Sequence, residues 1–355
     1  MIKNLRMKKY LPLMLASLVT VTGLTGCSSS SDNATSEETQ VEGTVADSSE
    51  GTSTTVEVFN GTLETPESTD NFVALELAYM DHLEALGVLP TAAIKPNGIT
   101  EESTPAQIVA WEDGFGRLYP NGEVDDVEAL NSNDNPNIER LLMIEPDFII
   151  AGDNQEEYLS QLEAVAPTYL MDSTLNLDDE GFRDWKATHR KMGEITGTEE
   201  VAEQNIADYD AMVADFVAQI GDDIEGKVAM VFQIDTKGIQ YGTKVNYAHI
   251  YRDLGFETPD NIPVEARETI AVENLVDINP DYIFATIESY EDFEVLEASP
   301  IWQNLDAVKN GNVFEFAHYA WNRTNGPNSN TLMFEETANF LLTGEQTSQR
   351  FNLED

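Results

Sequence analysis

One stretch of this chain occurs twice, and the duplication limits the possible folds more than any other feature. Residues 137–151 read Asn-Ile-Glu-Arg-Leu-Leu-Met-Ile-Glu-Pro-Asp-Phe-Ile-Ile-Ala, and residues 271–285 read Ala-Val-Glu-Asn-Leu-Val-Asp-Ile-Asn-Pro-Asp-Tyr-Ile-Phe-Ala. Both fit Glu-x-Leu-x-x-Ile-x-Pro-Asp-aromatic-Ile-x-Ala, with Glu273 lying 134 residues after Glu139. Leu141 and Ile144, like Leu275 and Ile278, are three residues apart and share one face of a short helix. The Pro-Asp pair stops that helix and turns the chain. The apolar run that follows reads as a buried parallel strand. A helix-to-strand corner used twice implies one α/β lobe used twice.

Between the copies, Val201, Ala202, Ile206, Tyr209, Met212, Val213, Phe216, Val217 and Ile220 form a helical stripe from Thr198 to Ile220. Thr198 is its expected cap, with Glu199 and Glu200 in the positive first turn. Strands are expected at Val56–Phe59, Val73–Leu75, Phe148–Ala151 and Tyr169–Met171, then at Val228–Gln233, Tyr282–Thr286 and Val313–Phe316. Helices are expected at Asp70–Leu86, Glu156–Ala166 and Ala248–Leu254. The fold class is α/β: two similar lobes with mostly parallel central sheets, joined by one long α-helix. The lobes span residues 56–175 and 223–346, the connecting helical region 176–222, and a tail 347–355. Ligands of such sheets sit at the carboxyl ends of the strands.

The start of the chain is a leader. Lys3, Arg6, Lys8 and Lys9 precede an apolar run from Leu11 to Val21, too short for a span of roughly 20 residues. Leu24-Thr25-Gly26-Cys27 resembles a bacterial lipobox, which implies cleavage of residues 1–27 and a lipid on Cys27. Residues 28–55 are rich in Ser, Thr and acids, which suits a disordered tether. Cys27 is the single cysteine, so no intrachain disulfide or cysteine-based site can form. The chain is then anchored to a cell membrane on its extracytoplasmic side rather than spanning it. The 19 Lys and Arg face 65 Asp and Glu, and such a balance excludes nucleic acid, whose phosphates require clustered bases.

Several further segments, in order, carry a family resemblance. They are Ala74-Leu75-Glu76-Leu77-Ala78-Tyr79 leading to Leu86-Gly87-Val88, Pro136-Asn137-Ile138-Glu139, Ala164-Val165-Ala166-Pro167-Thr168 and Asp253-Leu254-Gly255-Phe256. Ala307-Val308-Lys309-Asn310-Gly311-Asn312-Val313 and Trp321-Asn322-Arg323-Thr324-Asn325-Gly326-Pro327 complete the set. Over Val56 to Gly344 the chain resembles the ABC-importer binding proteins for siderophores and cobalamin, most of all the ferric-citrate and ferric-hydroxamate branch. The resemblance implies transport, not catalysis. It implies a monomer with no cofactor of its own, an Fe(III)-siderophore complex as ligand, and an importer permease with its ATPase as partners. Glu139 and Glu273 would contact arginines of the permease. The repeat agrees with this, because it puts both glutamates at equivalent helix starts on pseudo-symmetric lobes.

A compact anionic chelate held by so acidic a protein needs a local cation, and guanidinium pairs with carboxylate two bonds at a time. Arg323, beside Trp321 and matching the family's arginine, is the first candidate. Arg117, after Trp111 in a Gly-rich loop, is the second; Arg252 is a further cation in the second lobe. Tyr241, Lys244 and Tyr247 lie in one loop, from which one contact is expected. Asn133, Asp134 and Asn135 stand where citrate-branch relatives often carry an arginine, which keeps a neutral or cationic hydroxamate complex open. His82, His189, His249 and His318 have no metal-ligand spacing; His318 is read as a satisfied structural histidine before a contact to ligand or iron. Haem or cobalamin binding on the same fold, a surface sensor or adhesion module, and a carboxylate-dependent hydrolase are the competing readings. No phosphate loop, nucleophile elbow or dinucleotide fingerprint supports an enzyme.

Overall fold

The structure is a computed structural model that describes residues 55–94, 116–120, 122–130, 135–172, 177–235, 238–241, 247–259, 269–287, 290–316, 321 and 325–346. Cys27, the leader and nearly all of the tether lie outside these residues. Strands β1 (Thr55–Val58) and β2 (Gly61–Glu64) form an antiparallel hairpin. Strands β3 (Phe72–Ala74), β4 (Ala92–Ile94), β5 (Glu128–Leu130), β6 (Phe148–Gly152) and β7 (Thr168–Met171) form an all-parallel sheet in the order β5-β4-β3-β6-β7. The hairpin turn covers the β7 edge through Phe59 N–H to the Leu170 carbonyl at 2.8 Å and Asn60 Nδ2 to the Thr168 carbonyl at 2.9 Å. This lobe carries α1 (Tyr79–Ala85), α2 (Ile138–Ile144) and α3 (Leu159–Glu163).

After α4 (Trp185–Thr196), the connecting helix α5 runs from Glu199 to Ile224, 26 residues or about 39 Å at 1.5 Å per residue. It leads into a second five-stranded sheet of β8 (Ala229–Asp235), β9 (Gly238–Tyr241), β10 (Thr269–Ile270), β11 (Tyr282–Ile287) and β12 (Val313–Phe316). The order is β10-β9-β8-β11-β12, with β8, β11 and β12 parallel and β9 antiparallel to both its neighbours. A π-helical turn spans His249–Asp253. The lobe adds α6 (Asn274–Ile278), α7 (Tyr290–Glu297), α8 (Pro300–Asn304), α9 (Asp306–Asn310) and the closing helix α10 (Pro327–Thr343). The two repeat copies thus feed β6 and β11, strands of separate sheets.

Strand alternation divides the core. Val73, Ile149 and Ala151 face an outer cluster with Leu141 and Leu162, while Met230, Phe232, Ile283 and Ala285 face another with Leu275 and Trp302. Phe72, Phe148 and Ile150 of the first sheet and Ala229, Val231 and Phe284 of the second face inward to one shared cluster. Ile206, Tyr209, Phe216 and Ile220 of α5 and Met333, Phe334 and Phe340 of α10 fill it.

Three expectations need correction. Residues 70–78 hold β3 and a turn, so the first helix is only Tyr79–Ala85, because the fully buried Phe72-Val73-Ala74 belongs at the sheet centre. The long helix extends to Ile224. Thr198 stands at its N-cap position without capping it, since its hydroxyl is paired with that of Thr196 at 2.8 Å.

The closing helix is tied to the first lobe by a buried carboxylate. Asp81 on α1, 0% exposed, accepts from the backbone N–H groups of Gly326 (2.9 Å), Asn328 (2.8 Å) and Ser329 (3.1 Å) at the α10 N-terminus. It thereby satisfies donors a helix start leaves open and sits at the positive end of the dipole. The approach explains the glycine: a Cβ on Gly326 would lie 2.5 Å from Asp81 Cγ. Beside this cap runs a chain of neutral donors and acceptors. Asn205 Nδ2–H donates to His189 Nε2 (3.1 Å), which leaves His189 Nδ1–H to donate to His82 Nδ1 (3.3 Å). The remaining His82 N–H bonds the Asn325 backbone.

Burial holds His82 well below its ordinary pKa and lowers His189 to about 4 and His249 to about 3, whereas burial raises Asp81 to about 6. The depressed histidines bind fewer protons folded than unfolded, so their contribution is complete above about 6.5 and lost as pH falls toward 4 and below. Asp81 has the opposite sign: its contribution is complete below about 3.8 and lost as pH rises through about 6. The three histidines outweigh the carboxyls that burial raises, Asp81, Glu84 and Glu335, and give a urea midpoint that drops as pH falls from 7 to 4.5. His249, with neither ring nitrogen hydrogen-bonded to a described residue, tests the assignment. His249→Phe should shallow that pH slope and raise stability at pH 5 by about 1–3 kcal/mol; an unchanged slope would refute the assignment. For the cap, Asp81→Ala and Gly326→Ala should each cost about 2 kcal/mol or more in urea unfolding. The double variant should cost clearly less than their sum, because both remove one interaction.

Candidate functional site

The duplicated corners are built alike in three dimensions. Asn137 caps α2 by accepting the Arg140 N–H at 3.0 Å. Each helix ends on a left-handed residue, Glu145 (φ 54°) and Asn279 (φ 38°), the two non-glycine residues with positive φ among the described ones. Each cap N–H returns to the carbonyl of the buried leucine, Leu141 or Leu275, and a buried proline follows. Pro146 and Pro280 forbid continued helix, so the left-handed cap is how the chain turns into the strand. Glu139 and Glu273 are both exposed, and neither has an ion-pair partner among the described residues.

Arg140, next to Glu139, is committed elsewhere: it forks Glu128 through Nε (2.6 Å) and Nη2 (2.5 Å). This pair lines a pocket of about 370 Å³ with Leu75, Ile94 and Leu130, at the carboxyl ends of β3, β4 and β5.

Arg117 also has a carboxylate partner. Its Nη1 is 2.5 Å from Oε1 of Glu336 on α10, while Oε2 of the same carboxylate accepts Trp321 Nε1–H at 2.8 Å. Glu336 is buried, so one carboxylate ties the first-lobe arginine to the second-lobe tryptophan. Trp321 is 1% exposed, stacked on Phe316 and set edge-on against His249. Tyr247 is likewise 1% exposed, edge-on to His249 and Phe316. Both rings pack in the core, where their large apolar faces fill the layer between β12 and α10. Arg252 reaches Asp178 at 3.1 Å and Asp253 at 2.7 Å, with Tyr209 O–H donating to the same Asp253 at 2.7 Å. Trp111, Lys244, His318 and Arg323 lie outside the described residues, as does the side chain of Tyr241.

Glu336, Asp81 and Asp178 were missed by the sequence reading. Each acts on a residue distant in the chain, 219 residues away for Glu336 and Arg117, and no local pattern marks such a partner. Among the described residues there is no cluster of His, Cys, Asp and Glu suited to a metal ion. No described helix is long and apolar enough to cross a membrane.

Known proteins resemble this chain in sequence and in fold. The iron-uptake system-binding protein of Bacillus subtilis strain 168 is 27% identical over 256 residues, covering 67% of this chain and 78% of its own. The iron(3+)-hydroxamate-binding protein FhuD of the same organism is 26% identical, covering 86% of this chain and 90% of its own. The crystal structure of the triscatecholate siderophore-binding protein FeuA from Bacillus subtilis, complexed with ferri-bacillibactin, superimposes with a TM-score of 0.63 at 24% identity. It covers 83% of this chain and 100% of that protein, and it shows the fold to be the same. With residues 73–320 matching across both sheets and the helix between them, the chain belongs to the periplasmic binding protein family.

Proposed function

We propose that the protein is the extracytoplasmic solute-binding component of an ABC importer and that it carries a ferric siderophore. The observation that carries this is the pair of exposed glutamates on matching rigid corners of two separate sheets, a geometry suited to a partner with two related surfaces. The named relatives support the cargo: one serves iron uptake, another binds iron(3+)-hydroxamate, and the FeuA structure contains ferri-bacillibactin. Cys27 would carry the lipid that keeps the protein at the membrane, and residues 28–55 would give it reach. The protein binds and hands over; it transforms nothing.

The chelate would sit between the lobes. Arg323, Lys244 and Trp111 are its proposed contacts, with one aromatic contribution from Tyr241. Arg117 joins this wall as an arginine whose charge is already balanced by Glu336, so it donates hydrogen bonds without adding net positive charge. Tyr247 and Trp321 support the wall from behind.

Two measurements test the reading. Intrinsic tryptophan fluorescence, titrated with ferric citrate, hydroxamate and catecholate complexes, haem and cobalamin, should be quenched saturably at sub-micromolar concentration by one iron chelate. A flat response to the whole panel would overturn the cargo assignment. Glu139→Lys combined with Glu273→Lys should abolish uptake of the chelate so identified while its titration curve stays the same. Loss of chelate affinity in that variant would remove the docking role.

A further inference from the structure

Exposure along the two corners repeats position by position. From Asn137 to Pro146 and from Ala271 to Pro280 the same positions are buried, half-buried and exposed, save that Arg140 is half-buried where Asn274 is exposed. Leu141 and Leu275 point into the lobes, as do the prolines. The residue after each buried leucine points out: Leu142 is 55% exposed and Val276 is 56% exposed. Each stands three residues after its glutamate and so shares its helical face. A single exposed aliphatic side chain needs no explanation. Two at the same place in a duplicated element, each beside an exposed glutamate, are a different matter. This chain has acidic residues in abundance for solvated positions, and neither Leu142 nor Val276 packs in the core of its own lobe.

We infer that Leu142 and Val276 make the same apolar contact twice, one from each lobe, against the paired membrane subunits of the importer. The inference rests on the docking role proposed for Glu139 and Glu273 and adds the partner's chemistry: two related surfaces, each with a cation beside an apolar recess. The duplication argues for that occupant over a one-sided partner, because a one-sided partner would meet only one copy. The apolar side chains also sharpen the ion pairs. Once seated they exclude water from the neighbouring carboxylate and its cation, which strengthens the attraction that in bulk water is weak.

The test compares three full-length variants and the unaltered protein for association with the cognate permease–ATPase complex held in nanodiscs, with melting temperature and the fluorescence titration as controls. Leu142→Ser with Val276→Ser should weaken association at least tenfold, leaving melting and titration unchanged. Glu139→Lys with Glu273→Lys should weaken it at least as much. Val295→Ser, which removes an equally exposed valine (72%) from α7, should associate like the unaltered protein. If the double serine variant associates normally while the double lysine variant does not, the apolar contact is refuted and docking by the glutamates stands. If both double variants associate normally, or the unaltered protein does not associate, the docking reading itself falls. A loss in Val295→Ser equal to that of the double serine variant would also overturn the inference, since any exposed valine would then serve.

Discussion

A single apolar interior runs through both lobes, and the rest of the architecture depends on it. The inner faces of the two sheets do not close on separate cores; both pack on the same helices, with Phe72 and Phe148 on one side, Val231 and Phe284 on the other, and α5 and α10 between. Pulling the lobes apart would expose that interior, at roughly 25 cal/mol for each Å² of apolar surface. Buried polar ties add to this. Asp81 fixes the start of α10 to the first lobe, and Glu336 on the same helix holds Arg117 and Trp321. Opening the lobes about a wide hinge would therefore cost both that buried area and these ties.

The duplicated corner was readable because every step in it is local. Leucine and isoleucine at a three-residue spacing, a proline that cannot continue a helix and an apolar run lie within fifteen residues, and burial follows that pattern almost residue for residue. The stripe of α5 was readable for the same reason, its periodicity extending over many turns. Two of the short strands were not. Ala92–Ile94 and Glu128–Leu130 are three residues each, too brief for an alternation to register. Antiparallel β9 escaped notice as well, because a hairpin in the second lobe replaces the helical crossover through α1 that joins β3 to β4 in the first. Lobes that share a corner therefore differ at the sheet edge beyond it.

The candidate site was legible only in residue type. Among the few cations, Arg323, Arg117, Lys244 and Arg252 were the candidates; Arg117 and Arg252 are held by carboxylates from distant segments, while Lys244 and Arg323 lie outside the described residues. In a chain this acidic that outcome follows from numbers: with 65 acids to 19 bases, an arginine near the interior meets a carboxylate before it meets anything else. The packing of two aromatic residues follows a related rule. Trp321 and Tyr247 occupy loops that suggest ligand contact, yet large rings next to a sheet bury most area by turning inward, and Glu336 supplies the hydrogen bond that lets the indole do so.

The same argument explains why the exposed glutamates stand out. Lys186, Arg190, Lys191, Arg140, Arg117 and Arg252 each hold a carboxylate of this chain, while Glu139 and Glu273 hold none among the described residues. Their positions are fixed by backbone rather than by side-chain partners. A left-handed cap, a buried leucine and a buried proline define each corner, so the carboxylate at its start is presented at a set place without an internal counter-charge. A carboxylate that is rigidly placed, exposed and unneutralised loses little on meeting a cation from outside, since no existing pair must break and little backbone freedom remains to be frozen. Duplication doubles that advantage only if the two corners keep their separation, and the shared interior between the sheets is what keeps it.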